Sequence, residues 1–557
     1  MVTSWRFPVS AATILALFAG QIAGQEAAAD NGGPTLEDLF TVKSLGSVEV
    51  SPDGQAVLYT VNRADLNENE TDTDIWMLRR DGSGWADPVQ LTRSKQNDTN
   101  PQWRPESRTF AFLSSRESDG DDSARLQKIY LMDSRGGEAQ ELFAHETSIS
   151  SFQWSPDGTS IAFRATDPES KLEKDRKENG RDVNVEDEPG RPSHLWILDA
   201  ESGEAHRVTG GDSFTVGQFD WSPDGGRFAF SATPSGRPMD SWKSDVYVAS
   251  AHDPEATPMK LTDNPGPDAN PQWSPDARYL YYSGQLTDRY QVAMNRLFRM
   301  SVDGGEIEDV SPDADIQAGA FTLSSDGRGA FFSTTTGTTR GIFYMSLDDR
   351  RPVRLTPDDG VYGSADLSDD ERLVVYTYEN PNEPVELYAA SLSQRPAAES
   401  VVAQEAITSH NGHTSGWALG NTEVLRWKGV DGRDVEGILV YPHNWSPDTG
   451  PRATVVKIHG GPSGVYVQNF QASSSTSDAQ RYAADGYVVL LPNPRGSSGY
   501  GESGLQAVVG DWGGLDFQDI MTGVDTLIAR GITHPDSLGV MGWSYGGYMT
   551  AWTVTQT

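Results

Sequence analysis

One serine of this chain stands in a context typical of a catalytic nucleophile. Residues 542–546 read Gly-Trp-Ser-Tyr-Gly, directly after an apolar run and before a stretch that can be helical. A strand, a sharp turn and a helix in this order place a serine hydroxyl above the edge of a sheet. The alternative is a chance match in a glycine-rich loop. We predict that Ser544 is a nucleophile for acyl transfer and that the Tyr545 N–H donates to the oxyanion.

A second glycine-rich loop follows another apolar strand. Residues 454–458 form a β-branched run that leads into His459-Gly460-Gly461-Pro462. In a hydrolase of this kind, the loop after that strand supplies the second oxyanion donor, and glycines let backbone N–H groups approach the substrate. His459 is not expected to be the base, because the chain order in this fold is Ser, then the acid, then His.

The sequence contains no candidate for that base after Ser544. Its nine histidines all precede the serine, and the last residue is Thr557. We expect the acid and the histidine to lie beyond residue 557, so that the hydrolase domain is incomplete. The alternative is a hydrolase that has lost its catalytic function.

The elements before Ser544 are those of an α/β domain. The segments 454–458, 488–491 and 538–541 read as buried strands, and residues 517–530 have helical spacing. Strands that alternate with helices indicate a mostly parallel sheet. Together with the serine turn, this is the arrangement of an α/β hydrolase.

The first two thirds of the chain repeat a single unit. The unit is Ser-Pro-Asp-Gly, or a changed form of it, followed by an aromatic-rich strand. The acidic residues of the seven copies recur every 44 to 67 residues and are Asp53, Glu106, Asp157, Asp224, Asp276, Asp326 and Asp370. Short strands at such a period are typical of β-propeller blades. A pair of β-sandwiches is the alternative, but it would not explain the fixed period.

The composition and the N-terminal residues indicate what the protein can bind and where in the cell it is located. The net charge is −36, which argues against binding nucleic acid because phosphates require positive charge. The chain has no cysteine, so thiol catalysis and cysteine-bound metals are excluded. Arg6 followed by the apolar residues 11–20 predicts a signal peptide. We therefore expect an exported protein, periplasmic or secreted, that does not span the membrane after cleavage.

With these residues described, the chain resembles the prolyl oligopeptidase family of serine peptidases, in its acylaminoacyl-peptidase and dipeptidyl-peptidase branches. The resemblance is carried by the motifs at 542–548, 459–462, 493–501 (Asn-Pro-Arg-Gly-Ser-Ser-Gly-Tyr-Gly) and 511–514, and by the repeats. It implies a serine peptidase that acts on short peptides without a metal or other cofactor. It also implies that the propeller admits only short peptides.

The resemblance also assigns further site residues. His459 stands where other branches of the family have a tyrosine donor, so either its side chain or a neighbouring N–H completes the oxyanion site. In the dipeptidyl branch, paired glutamates of the propeller hold the free amine of the substrate. Glu186 and Glu188, in the long insertion at 167–191, are the candidates for that role.

The prediction as a whole is a β plus α/β protein, namely a seven-bladed β-propeller followed by the N-terminal part of an α/β-hydrolase domain. We place a signal peptide at 1–24, a linker with a lead-in helix at 25–45, the propeller at 46–395 and the hydrolase at 396–557. Two functional alternatives stay open. They are an esterase on the same fold and a non-catalytic binding propeller with a decayed hydrolase.

Overall fold

The computed structural model of the chain describes residues 32–557 except 83, 117–125, 182, 184–187 and 393–403. Strands from Ser44 to Ala406 form seven blades, each an antiparallel sheet in chain order from the inner to the outer strand. Blades 6 and 7 are joined into one sheet by a parallel bridge between Arg340 and Val361. The predicted seven-bladed propeller is confirmed.

The outer strand of each blade is short, between two and four residues. The inner strands are Ser44–Val50, Asp98–Trp103, Ile149–Trp154, Thr215–Trp221, Asp268–Trp273, Phe321–Leu323 and Val361–Leu367. The second strands are Ala56–Asp65, Thr109–Ser114, Ser160–Thr166, Arg227–Thr233, Tyr279–Gly284, Gly329–Thr336 and Leu373–Asn380. The third strands are Glu70–Asp81, Lys128–Asp133, Ser193–Asp199, Asp245–Ser250, Arg296–Ser301, Thr339–Ser346 and Glu383–Ser391. The outer strands are Val89–Gln90 (with Gly84–Trp85), Gln140–Phe143, Ala205–Arg207, Met259–Lys260, Glu308–Asp309, Pro352–Arg354 and Gln404–Ala406.

The Ser-Pro-Asp-Gly turn joins the inner strand to the second strand by a fixed set of hydrogen bonds. In blade 4, the Ser222 hydroxyl donates to Asp224 Oδ1, which also accepts the N–H of Gly226. Ser222 Oγ in turn accepts the N–H of Arg227 at 2.9 Å. The side chains thus satisfy backbone groups that the tight turn leaves unpaired.

One position of the inner strand links each of several blades to the next blade. It lies two residues before the turn serine or its counterpart, and it is occupied by Glu49, Gln102, Gln153, Asp220, Gln272, Thr322 and Asp366. Gln102 donates to the Phe152 carbonyl at 2.8 Å, and Asp220 accepts the Trp273 N–H at 3.0 Å. Asp366 accepts the Val50 N–H at 2.7 Å, which closes the ring between blades 7 and 1.

The hydrolase domain is built on a five-stranded sheet. Its order is Thr422–Lys428, Asp434–Val440, Val488–Asn493, Arg452–Ile458 and Thr533–Gly542, and the last three strands run parallel. Its α-helices are Ala479–Ala484, Gly501–Gln506, Leu515–Ala529 and Tyr545–Gln556. The other α-helices in the described ranges are Leu36–Leu39, before the propeller, and Lys171–Glu178, in the blade 3 insertion. The described 3₁₀ helices are Pro238–Asp240, Tyr290–Val292, Gly412–Gly416 and Pro447–Thr449.

The segment before the propeller packs on the hydrolase domain rather than on the blades alone. Leu39 and Val42 share a buried cluster with Phe470 and Ala472. The Ala418 N–H donates to the Gly32 carbonyl at 2.7 Å. The chain therefore enters and leaves the propeller at the same place, beside the hydrolase domain.

Polar contacts join the domains on one face of the propeller. Gln468 N–H donates to the Thr338 carbonyl at 2.7 Å, and the Gly337 N–H donates to the Gly499 carbonyl at 2.9 Å. Asp315 accepts the Glu502 N–H at 3.1 Å. The propeller residues lie in links between second and third strands or between successive blades. These links therefore define the face of the propeller that carries the hydrolase.

Two details concern the boundaries and the membrane. The strand Gln404–Ala406 pairs with Glu383–Ser391 and so belongs to blade 7, beyond the boundary placed at residue 395. The three residues Gln-Glu-Ala carry no strand pattern that would have indicated this. No helix in the described ranges is long and apolar enough to span a lipid bilayer.

The inter-blade hydrogen bonds predict the effect of removing one of them. Gln272 donates to the Phe321 carbonyl and accepts the Leu323 N–H at 3.2 Å, both in blade 6. We expect Gln272→Leu to destabilise the propeller by about 1–3 kcal/mol, because backbone groups of blade 6 lose their partners. Urea unfolding followed by tryptophan fluorescence measures this change. Gln55→Leu, at an exposed turn, is the matched control, and an equal loss in both variants would contradict the role of Gln272.

Candidate active site

Ser544 lies in a strained turn between the last strand of the sheet and the helix Tyr545–Gln556. Its backbone has φ 56° and ψ −119°, a conformation that residues with a side chain rarely adopt. Ser544 itself is exposed, and Trp543 beside it is 81% exposed. The turn therefore presents the serine hydroxyl at the surface of the hydrolase domain.

Two glycines make that turn possible. A Cβ on Gly546 would lie 2.1 Å from the Ile458 carbonyl oxygen, and a Cβ on Gly542 would lie 2.5 Å from the backbone of Gly546. Neither distance is compatible with any side chain. The backbone of the turn thus packs directly on the end of the strand Arg452–Ile458.

The glycine-rich loop after that strand lies against the serine. A Cβ on Gly460 would be 3.3 Å from Ser544 Cβ and 3.2 Å from the Trp543 carbonyl oxygen. The backbone of this loop is therefore close to any group bonded to the Ser544 hydroxyl. The structure brings the two motifs together, as their positions in the sequence predict.

The His459 side chain is buried and engaged with other groups. Its Nδ1 lies 2.9 Å from the Gly460 carbonyl oxygen, and its Nε2 lies 3.0 Å from Ser497 Oγ. Burial lowers its pKa to about 4, so the ring is neutral at pH 7. Because a carbonyl only accepts, the neutral ring carries its proton on Nδ1. The imidazole thus connects the loops at 460 and 497, and neither ring nitrogen is directed at Ser544.

A buried tyrosine anchors the residue that follows the serine. The Tyr545 hydroxyl donates to Asp516, whose carboxylate also accepts the Gly513 N–H at 3.2 Å. Asp516 is fully buried in the first turn of the helix Leu515–Ala529. Burial and the neighbouring carboxylate raise the pKa of Tyr545, so the phenol keeps its proton and acts as the donor. Asp516 lies two residues after the motif at 511–514, and the sequence alone does not show this contact.

A buried arginine fixes the loop that carries Ser497. Arg495 donates to both oxygens of Asp519 at 2.8 Å and to both oxygens of Asp431 at 3.0 and 3.1 Å. These contacts tie the loop at 493–501 to the helix Leu515–Ala529 and to the hairpin at 429–433. A paired guanidinium of this kind orients a loop as well as stabilising it.

Of the two glutamates predicted to hold the substrate amine, only Glu188 lies within the described residues. Glu186 lies outside the described residues. Glu188 is exposed and lies 3.5 Å from Arg176 of the insertion helix. The insertion connects the second and third strands of blade 3, and links of this type lie on the face that carries the hydrolase domain.

The partners of the serine are not found in the described part of the chain. No imidazole there lies within hydrogen-bond distance of Ser544 Oγ, and no histidine follows Ser544 in the sequence. The geometry thus supplies an exposed serine hydroxyl with a glycine-rich backbone beside it, and within the described residues no imidazole accompanies them.

Comparisons with known proteins agree with both domains. A model of the prolyl oligopeptidase family matches residues 472–557, and a model of the TolB β-propeller domain matches residues 179–410. The uncharacterized peptidase YuxL of Bacillus subtilis is 28% identical over 94% of this chain and 80% of its own length. Dipeptidyl-peptidase 5 of Porphyromonas gingivalis is 24% identical over 97% of this chain and 80% of its own.

The solved structures show the same fold. Pyrococcus horikoshii acylaminoacyl peptidase superposes with a TM-score of 0.72 over 93% of this chain and 76% of its own, at 19% identity. A puromycin hydrolase superposes with a TM-score of 0.69 at 15% identity. The prediction of a propeller followed by a hydrolase domain is therefore confirmed by the structure and by its neighbours.

The two glycines after Ser544 give a sharp test of the turn. We expect Gly546→Ala to destabilise the hydrolase domain by about 1–3 kcal/mol or more, because its Cβ overlaps the Ile458 carbonyl. Gly547→Ala is the matched control, since its Cβ would be 3.6 Å from the nearest atom. We expect that control to be neutral or stabilising by up to about 1 kcal/mol, because alanine favours the helix. Thermal unfolding of the two variants measures this, and equal stabilities would contradict the close packing.

Proposed function

The chain belongs to the prolyl oligopeptidase family and is a serine peptidase, and on that premise we propose that it cleaves short peptides through an acyl-enzyme formed on Ser544. The observation that carries the proposal is the turn itself. An exposed serine with φ 56° stands between two glycines that admit no side chain, next to a second glycine-rich loop. Proteins retain backbone strain of this kind at sites where it positions a reacting group.

The proposed first step is attack of Ser544 Oγ on the carbonyl carbon of the scissile peptide bond. The carbonyl oxygen becomes an oxyanion, which accepts the Tyr545 N–H at the start of the helix and a backbone N–H of the loop at Gly460. A removed donor of this kind typically costs about 3–4 kcal/mol in the barrier. His459 acts through position rather than by donation, because both of its ring nitrogens are already engaged.

The proposed base and acid are a histidine and an aspartate, neither of which is placed beside Ser544 by the described residues. The histidine takes the serine proton during attack and returns it to the leaving amine. A water molecule then hydrolyses the acyl-enzyme with the same histidine as base. Ser544 is regenerated, and the acyl part of the substrate leaves with a free carboxylate.

The proposed role of the propeller is to limit access. Its ring is closed by hydrogen bonds between blades, including that from Val50 to Asp366. The hydrolase domain rests on one face of that ring through Gln468, which follows the loop at 459–462, and Gly499 of the loop at 493–501. A folded protein chain cannot pass such an interface, so the proposed substrates are short peptides.

The substrate end that the enzyme recognises is a further part of the proposal. Two similar proteins are named dipeptidyl-peptidase 5, which supports recognition of a free amino terminus. Glu186 and Glu188 are the proposed acceptors of that amine. Their insertion emerges from blade 3 on the face that carries the hydrolase domain.

The nucleophile is tested in the product of the complete coding sequence. We expect Ser544→Ala to lower peptide turnover at least about 10³-fold, because no acyl-enzyme forms. Ser503→Ala, at an exposed position of the nearby helix, is the matched control and should keep full activity. Chromogenic dipeptide amides and acyl esters of the same residues are assayed in parallel. Retained peptide turnover in Ser544→Ala would contradict the assignment of Ser544 as the nucleophile. Turnover of esters but not of peptides by the unaltered protein would favour an esterase.

The amine acceptors are tested by substrates with free and blocked amino termini. We expect Glu186→Ala/Glu188→Ala to raise KM for free-amine dipeptide substrates about tenfold or more, because a charged hydrogen bond is lost. KM for the N-acetylated substrates should not change. Glu178→Ala, on the same insertion, is the matched control. An unchanged KM for free-amine substrates in the double variant would contradict the role of Glu186 and Glu188 as amine acceptors.

A further inference from the structure

A cavity of about 540 Å³ lies between the two domains. It is located where the inner strands of blades 1 and 7 begin, and Ser473–Ser475 of the hydrolase domain form one wall. Its volume is in the range of small-molecule sites. No residue that lines it belongs to the loops around Ser544, so it is separate from the proposed reaction centre.

The charges that line this cavity are two cations and one carboxylate. Lys43 and Arg340 line it, and in the described part of the chain neither side chain has an ion-pair partner within 4 Å. Unpaired cations that share one cavity are suited to bind an anion.

The carboxylate is Glu379, which is held by the hydrolase domain. Its Oε2 accepts the Phe470 N–H at 3.1 Å. Burial raises its pKa to about 7, against the opposing effects of the Phe470 N–H and of Arg340. With two cations and one carboxylate in its lining, the cavity has an excess of positive charge and one site that attracts an ammonium group.

The rest of the lining is suited to an organic molecule rather than to an inorganic ion. Both hydroxyl groups and apolar side chains line the cavity, and they include Ser44, Ser364, Thr377, Ser473, Leu39, Phe40, Val361 and Val385. Apolar walls offer nothing to the oxygens of a phosphate, and Glu379 repels a dianion more strongly than a monoanion. A molecule with a carboxylate, an ammonium group and an apolar part complements the two cations, Glu379 and the apolar side chains of the lining.

We propose that this cavity binds a short peptide whose two termini are both free. Arg340 and Lys43 hold its carboxylate, Glu379 holds its ammonium group, and the apolar wall accommodates a side chain. The proposal rests on the proposed function in one respect, because peptides with two free ends are products that such a peptidase releases. The bound peptide contacts both domains, since the cavity is lined by Arg340 of the propeller and Ser473 of the hydrolase.

Binding is measured by titration calorimetry on the Ser544→Ala chain, so that no hydrolysis is needed. The probes are Ala-Leu, N-acetyl-Ala-Leu, Ala-Leu amide and inorganic phosphate. We expect one molecule of Ala-Leu to bind per chain, with both blocked peptides at least about tenfold weaker because each loses a charged contact. Arg340→Gln should weaken Ala-Leu binding by a similar factor. Glu379→Gln should abolish the preference for Ala-Leu over its acetylated form.

Matched variants keep the test decisive. Arg351→Gln, an exposed arginine of the propeller outside the cavity, should leave the affinity unchanged. Lys43→Gln replaces Arg340→Gln if that variant does not fold. The proposal is overturned if Ala-Leu does not bind, if blocked peptides bind equally well, if phosphate binds as tightly as Ala-Leu, or if neither cation variant weakens binding. None of these outcomes depends on turnover by Ser544, so failure here is distinguishable from failure of the proposed function.

Discussion

The propeller depends on one recurring hydrogen bond, which links an inner strand to the backbone of the next blade. A blade cannot bury both of its faces alone, and neighbouring blades pack through apolar side chains that are not directional. The polar position two residues before the turn adds direction, because Gln102, Asp220 and Gln272 each bond to backbone of the following blade. Asp366 completes the ring by the same contact with Val50. This closed ring positions the propeller residues that face the hydrolase domain, including Arg340 in the cavity.

The candidate active site depends instead on backbone packed directly against backbone and on buried charged side chains. Glycines at 542, 546 and 460 remove the side chains that would separate the serine turn from the loop beside it. That contact alone does not fix the surrounding loops. Asp516 and Asp519, both fully buried on one helix, bind Tyr545 and Arg495. One helix therefore orients the residue after the serine and the loop that reaches His459.

The sequence predicts features that are set by local chemistry and misses those that depend on distant contacts. The blades were predictable because a Ser and an Asp side chain satisfy six of the seven turns within six residues. The serine turn was also predictable from local sequence, because its motif lies within the five residues 542–546. Outer strands of two or three residues, such as Met259–Lys260, have no periodicity and gain their conformation from the neighbouring strand. The engagement of the His459 ring and the Asp516–Tyr545 contact needed coordinates, because each joins residues about 30 or more positions apart.

The packing of the N-terminal segment has a consequence for protein synthesis. Leu39 and Val42 bury themselves against Phe470 and Ala472, which are made more than 400 residues later. At about 5–20 residues per second, the ribosome needs on the order of 20–90 seconds to supply that partner. During this interval the whole propeller emerges and can close its ring. The early segment then lies at one end of a folded propeller, so Phe470 and Ala472 meet a surface that has already formed.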